Sequence, residues 1–139
     1  MRRVAVGVGV MAAAVLAGSG LRPVAAQAGA DTPAYYTEKV KPIFVATCGQ
    51  CHLGPNHKGS LSLETKASTM KGGRDGVVIV AGDPKNSMLV QLIRHEGPAD
   101  DPKPMPPAPH AKLSDADIAV VEQWVKAGAM MPDDPAPAQ

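Results

Sequence analysis

Apolar residues recur at helical spacing near the end of the chain, where Ile118, Val121, Trp124 and Val125 fall on one face. Ser114 with Asp117 three residues on forms an acidic version of a capping box, and Gly128 stands where such a helix should stop. A second stripe runs from Pro33 through Tyr36, Val40, Ile43 and Phe44 toward Cys48, with Thr32 as N-cap. Pro42 removes a backbone donor inside that stripe, so the pattern predicts a kink or a break just ahead of Cys48. Between these two, Asp83-Pro84 and Ser87 open an amphipathic run from Met88 to Ile93, and a helical turn is expected over residues 64–70. Gly72-Gly73-Arg74-Asp75-Gly76 reads as a turn into the brief apolar run Val77 to Val80. It lacks the preceding strand and the following Lys-Ser/Thr of a phosphate-cradling loop. There is no internal repeat. The pattern predicts an all-α chain of about four short helices.

At the N-terminus, Arg2-Arg3 precede an apolar run from Val4 to about Ala17, followed by Gly18-Ser19-Gly20 and the small residues Val24-Ala25-Ala26. This is the charged, apolar, small-residue order of a secretory signal peptide, with cleavage expected after Ala26 and an alternative after Ala28. The apolar run is shorter than the roughly 20 residues of a membrane span and is interrupted by glycine, so no integral span is expected once the signal is removed. The division is therefore 1–26 signal peptide, 27–131 one domain, and 132–139 a disordered tail rich in Pro, Ala and Asp.

Composition narrows the function. Of 14 basic residues, Arg2, Arg3 and Arg22 belong to the signal, leaving 11 against 13 acidic groups in the exported protein. A chain of net charge −2 with no basic stripe excludes nucleic acid as a partner. Only four aromatic residues, Tyr35, Tyr36, Phe44 and Trp124, are available to anchor a domain of this size, so something besides side chains is expected to fill its centre. Trp124 is read as core packing rather than as a redox residue.

The only two cysteines stand in Cys48-Gly49-Gln50-Cys51-His52. Two thiols separated by two residues can reach the two vinyl groups on one edge of a porphyrin, and the next residue places an imidazole at the iron. A redox disulfide would need a βαβ pattern that the chain lacks, and a structural zinc site would need a fourth ligand such as His57. An export signal ahead of the motif favours haem. For a sixth ligand the candidates are Met70, Met88, Met105, Met130, Met131, His57, His95 and His110. Met105 stands in Lys103-Pro104-Met105-Pro106-Pro107, within a segment from Gly97 to Pro109 that holds six prolines and is expected to run extended. Prolines lower the entropy lost on fixing a thioether there. Met88 reads as helix packing, His95 as a helix end, and His57 and His110 as loop residues.

The blocks Val40-Lys41-Pro42-Ile43-Phe44, Cys48-x-x-Cys51-His52, Leu61-Ser62-Leu63, Gly72-Gly73, Ala81-Gly82-Asp83-Pro84 with Ser87-Met88-Leu89, Met105-Pro106-Pro107, and Leu113-Ser114 through Trp124-Val125-Lys126-Ala127-Gly128-Ala129 resemble, in this order, the planctomycete-type cytochrome c domain. The resemblance implies a small cytochrome c fold wrapped around one covalently bound haem c, with the terminal helices crossing near it. It implies Cys48 and Cys51 as thioether positions, His52 as proximal ligand and Met105 as distal ligand. Many relatives carry a glycine pair where this chain has Gly59-Ser60, and Pro104 is an additional proline before Met105. A haem with both axial positions filled implies a periplasmic electron carrier, monomeric, meeting redox partner proteins transiently. The alternatives are a sensor or peroxidase-like enzyme with an open sixth position, and an electron-transfer subunit of a larger redox enzyme.

Overall fold

The structure is a computed structural model and describes residues 29–55, 57–97 and 102–136. The expected signal peptide lies outside the described residues. Those described form one long composite helix and three shorter ones with no β-strand, in agreement with the all-α expectation.

Helix α1 covers residues 33–52 and alternates between two geometries. Its α turns Pro33–Tyr35, Lys41–Ile43 and Gly49–His52 are separated by π turns Tyr36–Val40 and Phe44–Cys48. Thr32 caps it as expected, its hydroxyl accepting from the Tyr35 N–H at 3.4 Å. The expected kink or break at Pro42 is resolved differently. An α turn would drive the proline ring against the carbonyl of Glu38, and the helix instead widens by one residue, so that the Lys41 N–H reaches back to the Tyr36 carbonyl. The chain thereby stays helical through the proline and delivers Cys48, Cys51 and His52 on its last two turns.

Helix α2 spans Lys66–Lys71 and α3 spans Met88–Arg94. Thr65 and Ser68 close a reciprocal capping box on α2, and the Asp134 carboxylate accepts from the backbone N–H groups of Lys66 and Ala67 at 2.6 and 2.9 Å. Asp133 pairs with the Lys66 ammonium at 2.8 Å. The tail, expected to be disordered from Pro132, is thus fastened to α2 at its beginning. Ser87 sits at the N-cap of α3, but its hydroxyl serves the preceding turn, accepting from the Val80 N–H and donating to the Asp83 carbonyl, each at 2.8 Å. The run Val77 to Val80 is extended but unpaired with any strand, because the Val78 carbonyl takes its hydrogen from Leu89 of α3.

Helix α4, Asp115–Lys126, starts at Ser114, whose hydroxyl accepts from the Asp117 N–H at 3.1 Å and donates to the Asp117 carboxylate at 2.7 Å. The carboxylate therefore closes the cap through the hydroxyl rather than through the serine backbone. Ile118, Val121, Trp124 and Val125 are buried on one face, as the periodicity requires, and Gly128 follows the helix at φ +107°. This face packs on α1: Trp124 lies 5.4 Å from Tyr36 and 5.9 Å from Phe44, ring centre to ring centre, with Val40 buried in the same cluster. Arg94 of α3 forks onto Glu122 of α4, Nε to Oε1 at 2.6 Å and Nη2 to Oε2 at 2.7 Å. Trp124 donates its indole N–H to the Met130 carbonyl at 2.8 Å and lines neither of the two cavities described below. It is core, with aromatic neighbours rather than a cofactor as its partners.

Two glycines make the loop between α2 and α3 possible. Gly72 has φ +81°, and a Cβ there would run into the Gly76 carbonyl; a Cβ on Gly73 would meet the Gly59 carbonyl at 2.6 Å. The Arg74 N–H donates to that same Gly59 carbonyl at 2.7 Å, so the two loops touch backbone to backbone. At the partner loop, Gly59 has φ +65° and Ser60 φ +56°. Both positions are left-handed, and Ser60 occupies a conformation that costs an L side chain about 1–2 kcal/mol. Part of that is returned by glycine's larger entropy in the unfolded chain. Ser60→Gly is therefore expected to stabilise the protein by about 0.5–1 kcal/mol, read as a raised midpoint in denaturant titration with an unchanged slope; a lowered midpoint would refute it.

Candidate haem site

Cys48, Cys51 and His52 leave α1 on consecutive turns. Both cysteines are half-buried and carry free thiols. Thr47 lies 3.5 Å from the Cys48 sulfur while donating its hydroxyl hydrogen to the Ile43 carbonyl at 2.6 Å. Burial pushes the Cys48 thiol above its ordinary pKa, against the opposing pull of the Thr47 contact.

His52 is oriented by a partner that the sequence pattern did not single out. Its Nδ1 lies 3.2 Å from the Leu61 carbonyl oxygen, and the Leu63 N–H returns to the His52 carbonyl at 2.9 Å. A carbonyl only accepts, so Nδ1 carries the hydrogen. Burial lowers the imidazole pKa below its usual value, even though the Leu61 bond acts the other way. In the neutral ring Nε2 then presents its lone pair. Fixing one ring nitrogen by a backbone carbonyl so that the other is free is how metal-binding histidines are oriented.

Two adjoining cavities lie against this turn, of about 320 and about 260 Å³. Cys48, His52, Lys58, Ile93, Met105 and Pro107 line both. The first also takes in Cys51, His110 and Leu113, and the second takes in Leu61, Val78, Met88 and Leu89. Met105 is half-buried within the non-helical stretch 102–114, and its N–H donates to the Leu92 carbonyl at the end of α3 at 3.0 Å. That bond, with Pro104, Pro106 and Pro107 around it, holds the residue at the cavity wall. Residues 98–101 of the proline-rich segment lie outside the described residues.

The other sixth-ligand candidates separate by position. His95 is the left-handed C-cap of α3 at φ +60°, and His57 lies 3.6 Å from the Glu64 carboxylate. Met131 is buried in the core, Met70 packs against it, and Met130 is exposed. Met88, read from sequence as helix packing, does pack against the core but also lines the second cavity; His110, read as a loop residue, lines the first. Of these candidates Met105 alone lines both. Among the described residues no three or more His, Cys, Asp or Glu side chains gather into a metal-holding group.

Two thiols and an oriented imidazole from the end of one helix, opening on apolar space with a thioether on its wall, are the groups a c-type cytochrome uses to hold its haem. Residues 48–109 match the family described as planctomycete cytochrome C, and the chain carries a cytochrome c domain of that family. No curated protein and no solved structure matches the chain. The match supports an electron-transfer haem protein, and the residues present fit the group: thiols at the right spacing, a free imidazole nitrogen, and a largely apolar enclosure. No helix among the described residues is long and apolar enough to cross a membrane.

Proposed function

We propose that the protein is a single-electron carrier of the periplasm or another extracytoplasmic space, holding one haem c through thioethers at Cys48 and Cys51, with His52 and Met105 as the two axial ligands of its iron. The observation that carries this reading is the presence of Cys48, His52 and Met105 on both of the adjoining cavities. Bound haem supplies one-electron exchange between ferric and ferrous iron.

The chain's own residues supply the rest. The Leu61 carbonyl holds the His52 ring with Nε2 available, and the Leu92 carbonyl anchors the Met105 backbone. Ile93, Leu89 and Leu113, each buried, keep water from the cavity and disfavour the more highly charged oxidised state. A thioether ligand in place of a second imidazole acts in the same direction. With both axial positions taken by side chains no place remains for substrate, which supports a carrier over an enzyme. The signal-like N-terminus supports export, the condition under which haem is attached to such motifs.

The test is the absorption spectrum of the purified exported protein, oxidised, dithionite-reduced, and reduced under carbon monoxide. Sharp low-spin reduced bands that carbon monoxide leaves unchanged are expected. A high-spin spectrum that shifts under carbon monoxide would overturn the carrier in favour of an open-site sensor or enzyme.

A further inference from the structure

Beyond α1 the chain passes through three left-handed residues, Gly54 at φ +81°, Gly59 at φ +65° and Ser60 at φ +56°, before Leu61 returns beside His52. Two turns at the end of this loop aim the Leu61 carbonyl: the Ser60 N–H donates to the His57 carbonyl at 3.0 Å and the Leu61 N–H to the Lys58 carbonyl at 3.3 Å. The carboxylate of Glu64 holds the loop at two points. One oxygen accepts from the Gly54 N–H at 2.9 Å, where the loop begins. The other lies 3.6 Å from Nε2 of His57, where the turns begin, and that ring nitrogen is buried with no hydrogen-bond partner among the described residues. The root of the Glu64 side chain is itself fixed, because the neighbouring Leu63 N–H bonds the His52 carbonyl at 2.9 Å.

Resting on the haem reading above, we infer that Glu64 is a positioning residue for the proximal imidazole, its carboxylate tying Gly54 to His57 so that the Leu61 carbonyl stays on His52 Nδ1. Glu64 is exposed and lines neither haem cavity, so it acts through His52 rather than on the ring. Solvent screens its charge, and what it contributes is reach. A hydrogen bond from Nδ1 to a carbonyl makes the other ring nitrogen more basic. A more basic ligand favours ferric over ferrous iron. Slackening the Leu61 contact therefore shifts the iron toward the ferrous state.

The test separates reach from charge with two variants of the purified holoprotein. Glu64→Gln keeps an acceptor at the same reach and loses the charge; Glu64→Asp keeps the charge and draws it back by one methylene. Two quantities are read: the exchange rate of the His52 Nδ1 proton by NMR, and the ferrous-to-ferric ratio at a fixed ambient potential. In Glu64→Asp the proton should exchange about fivefold faster or more, and the ratio should rise about twofold to fivefold. Glu64→Gln should stay within about twofold of wild type in both. A Glu64→Asp protein that matches wild type overturns the inference, because the reach of the side chain would then not matter. A Glu64→Gln protein that behaves like Glu64→Asp overturns it too, since an acceptor in place would have failed to hold the imidazole. A wild-type protein without thioether-linked haem in its alkaline pyridine spectrum would instead bring down the carrier reading itself.

Discussion

Met105→Ala should abolish the weak far-red sulfur-to-iron band, lower the midpoint potential by about 0.2 V, and open the reduced protein to carbon monoxide. The size follows from the leverage of axial ligation, which with its surroundings spans about 0.8 V across haem proteins. The substitution leaves the fold in place, because the contact that fastens this stretch, from the Met105 N–H to the Leu92 carbonyl, is made by the backbone. The prolines on either side are also unchanged. Two neighbours make the outcome decisive. Met88 lines the second cavity and His110 the first. A sulfur band that survives Met105→Ala and disappears on adding Met88→Ala would transfer the ligand to Met88. A low-spin spectrum without the sulfur band, abolished by His110→Ala, would assign the position to His110 in the variant. An unaltered spectrum in all of these would refute thioether ligation.

Trp124→Ala is expected to cost about 4 kcal/mol, the range for removing a large aromatic from a packed core. Trp124 is fully buried, tilted at 39° to Tyr36 and edge-on at 83° to Phe44, with its indole N–H on the Met130 carbonyl. Deleting it leaves a void where α1 crosses α4 and orphans the carbonyl that receives the indole proton. Small domains hold about 5–15 kcal/mol in all, so most of the margin should go. Denaturant unfolding measures it. Because Trp124 lines neither haem cavity, the folded variant should keep its visible spectrum and midpoint potential. A loss below about 1.5 kcal/mol would show that the crossing tolerates a hole, and a shifted spectrum at full folding would place the indole against the cofactor after all.

The elements that were legible in the sequence are those whose cause is local. Ser114 with Asp117, the spacing of Ile118, Val121, Trp124 and Val125, and Thr32 before Pro33 each act within one or two turns, and the structure shows each of them working. The thiols and imidazole of Cys48, Cys51 and His52 were equally plain, since their spacing is itself the chemistry. Pro42 shows the limit of such reading. Its cost was clear, but whether the chain would bend, break or widen depended on whether α4 holds the two halves of α1 in line. The buried cluster of Tyr36, Val40 and Phe44 against Trp124 keeps the helix whole.

The site's supporting atoms were hidden for a different reason. The carbonyls of Leu61 and Leu92 are backbone groups that every residue carries, so no side-chain pattern marks them. The left-handed backbone of Ser60 was hidden in the same way, because no side-chain pattern marks a positive φ at a serine. The tail ran the other way: its composition predicted disorder, and Asp133 and Asp134 found α2 across 67 and 68 residues of chain.

The sequence by itself determined an all-α chain and the chemistry of its haem motif, because helical periodicity, caps and the two-residue gap between thiols are all short-range. Only the tertiary structure decided that Met105, rather than Met88 or His110, shares both cavities with Cys48 and His52, and that the His52 ring is turned by Leu61. Those arrangements join residues tens of positions apart, and packing alone brings them together.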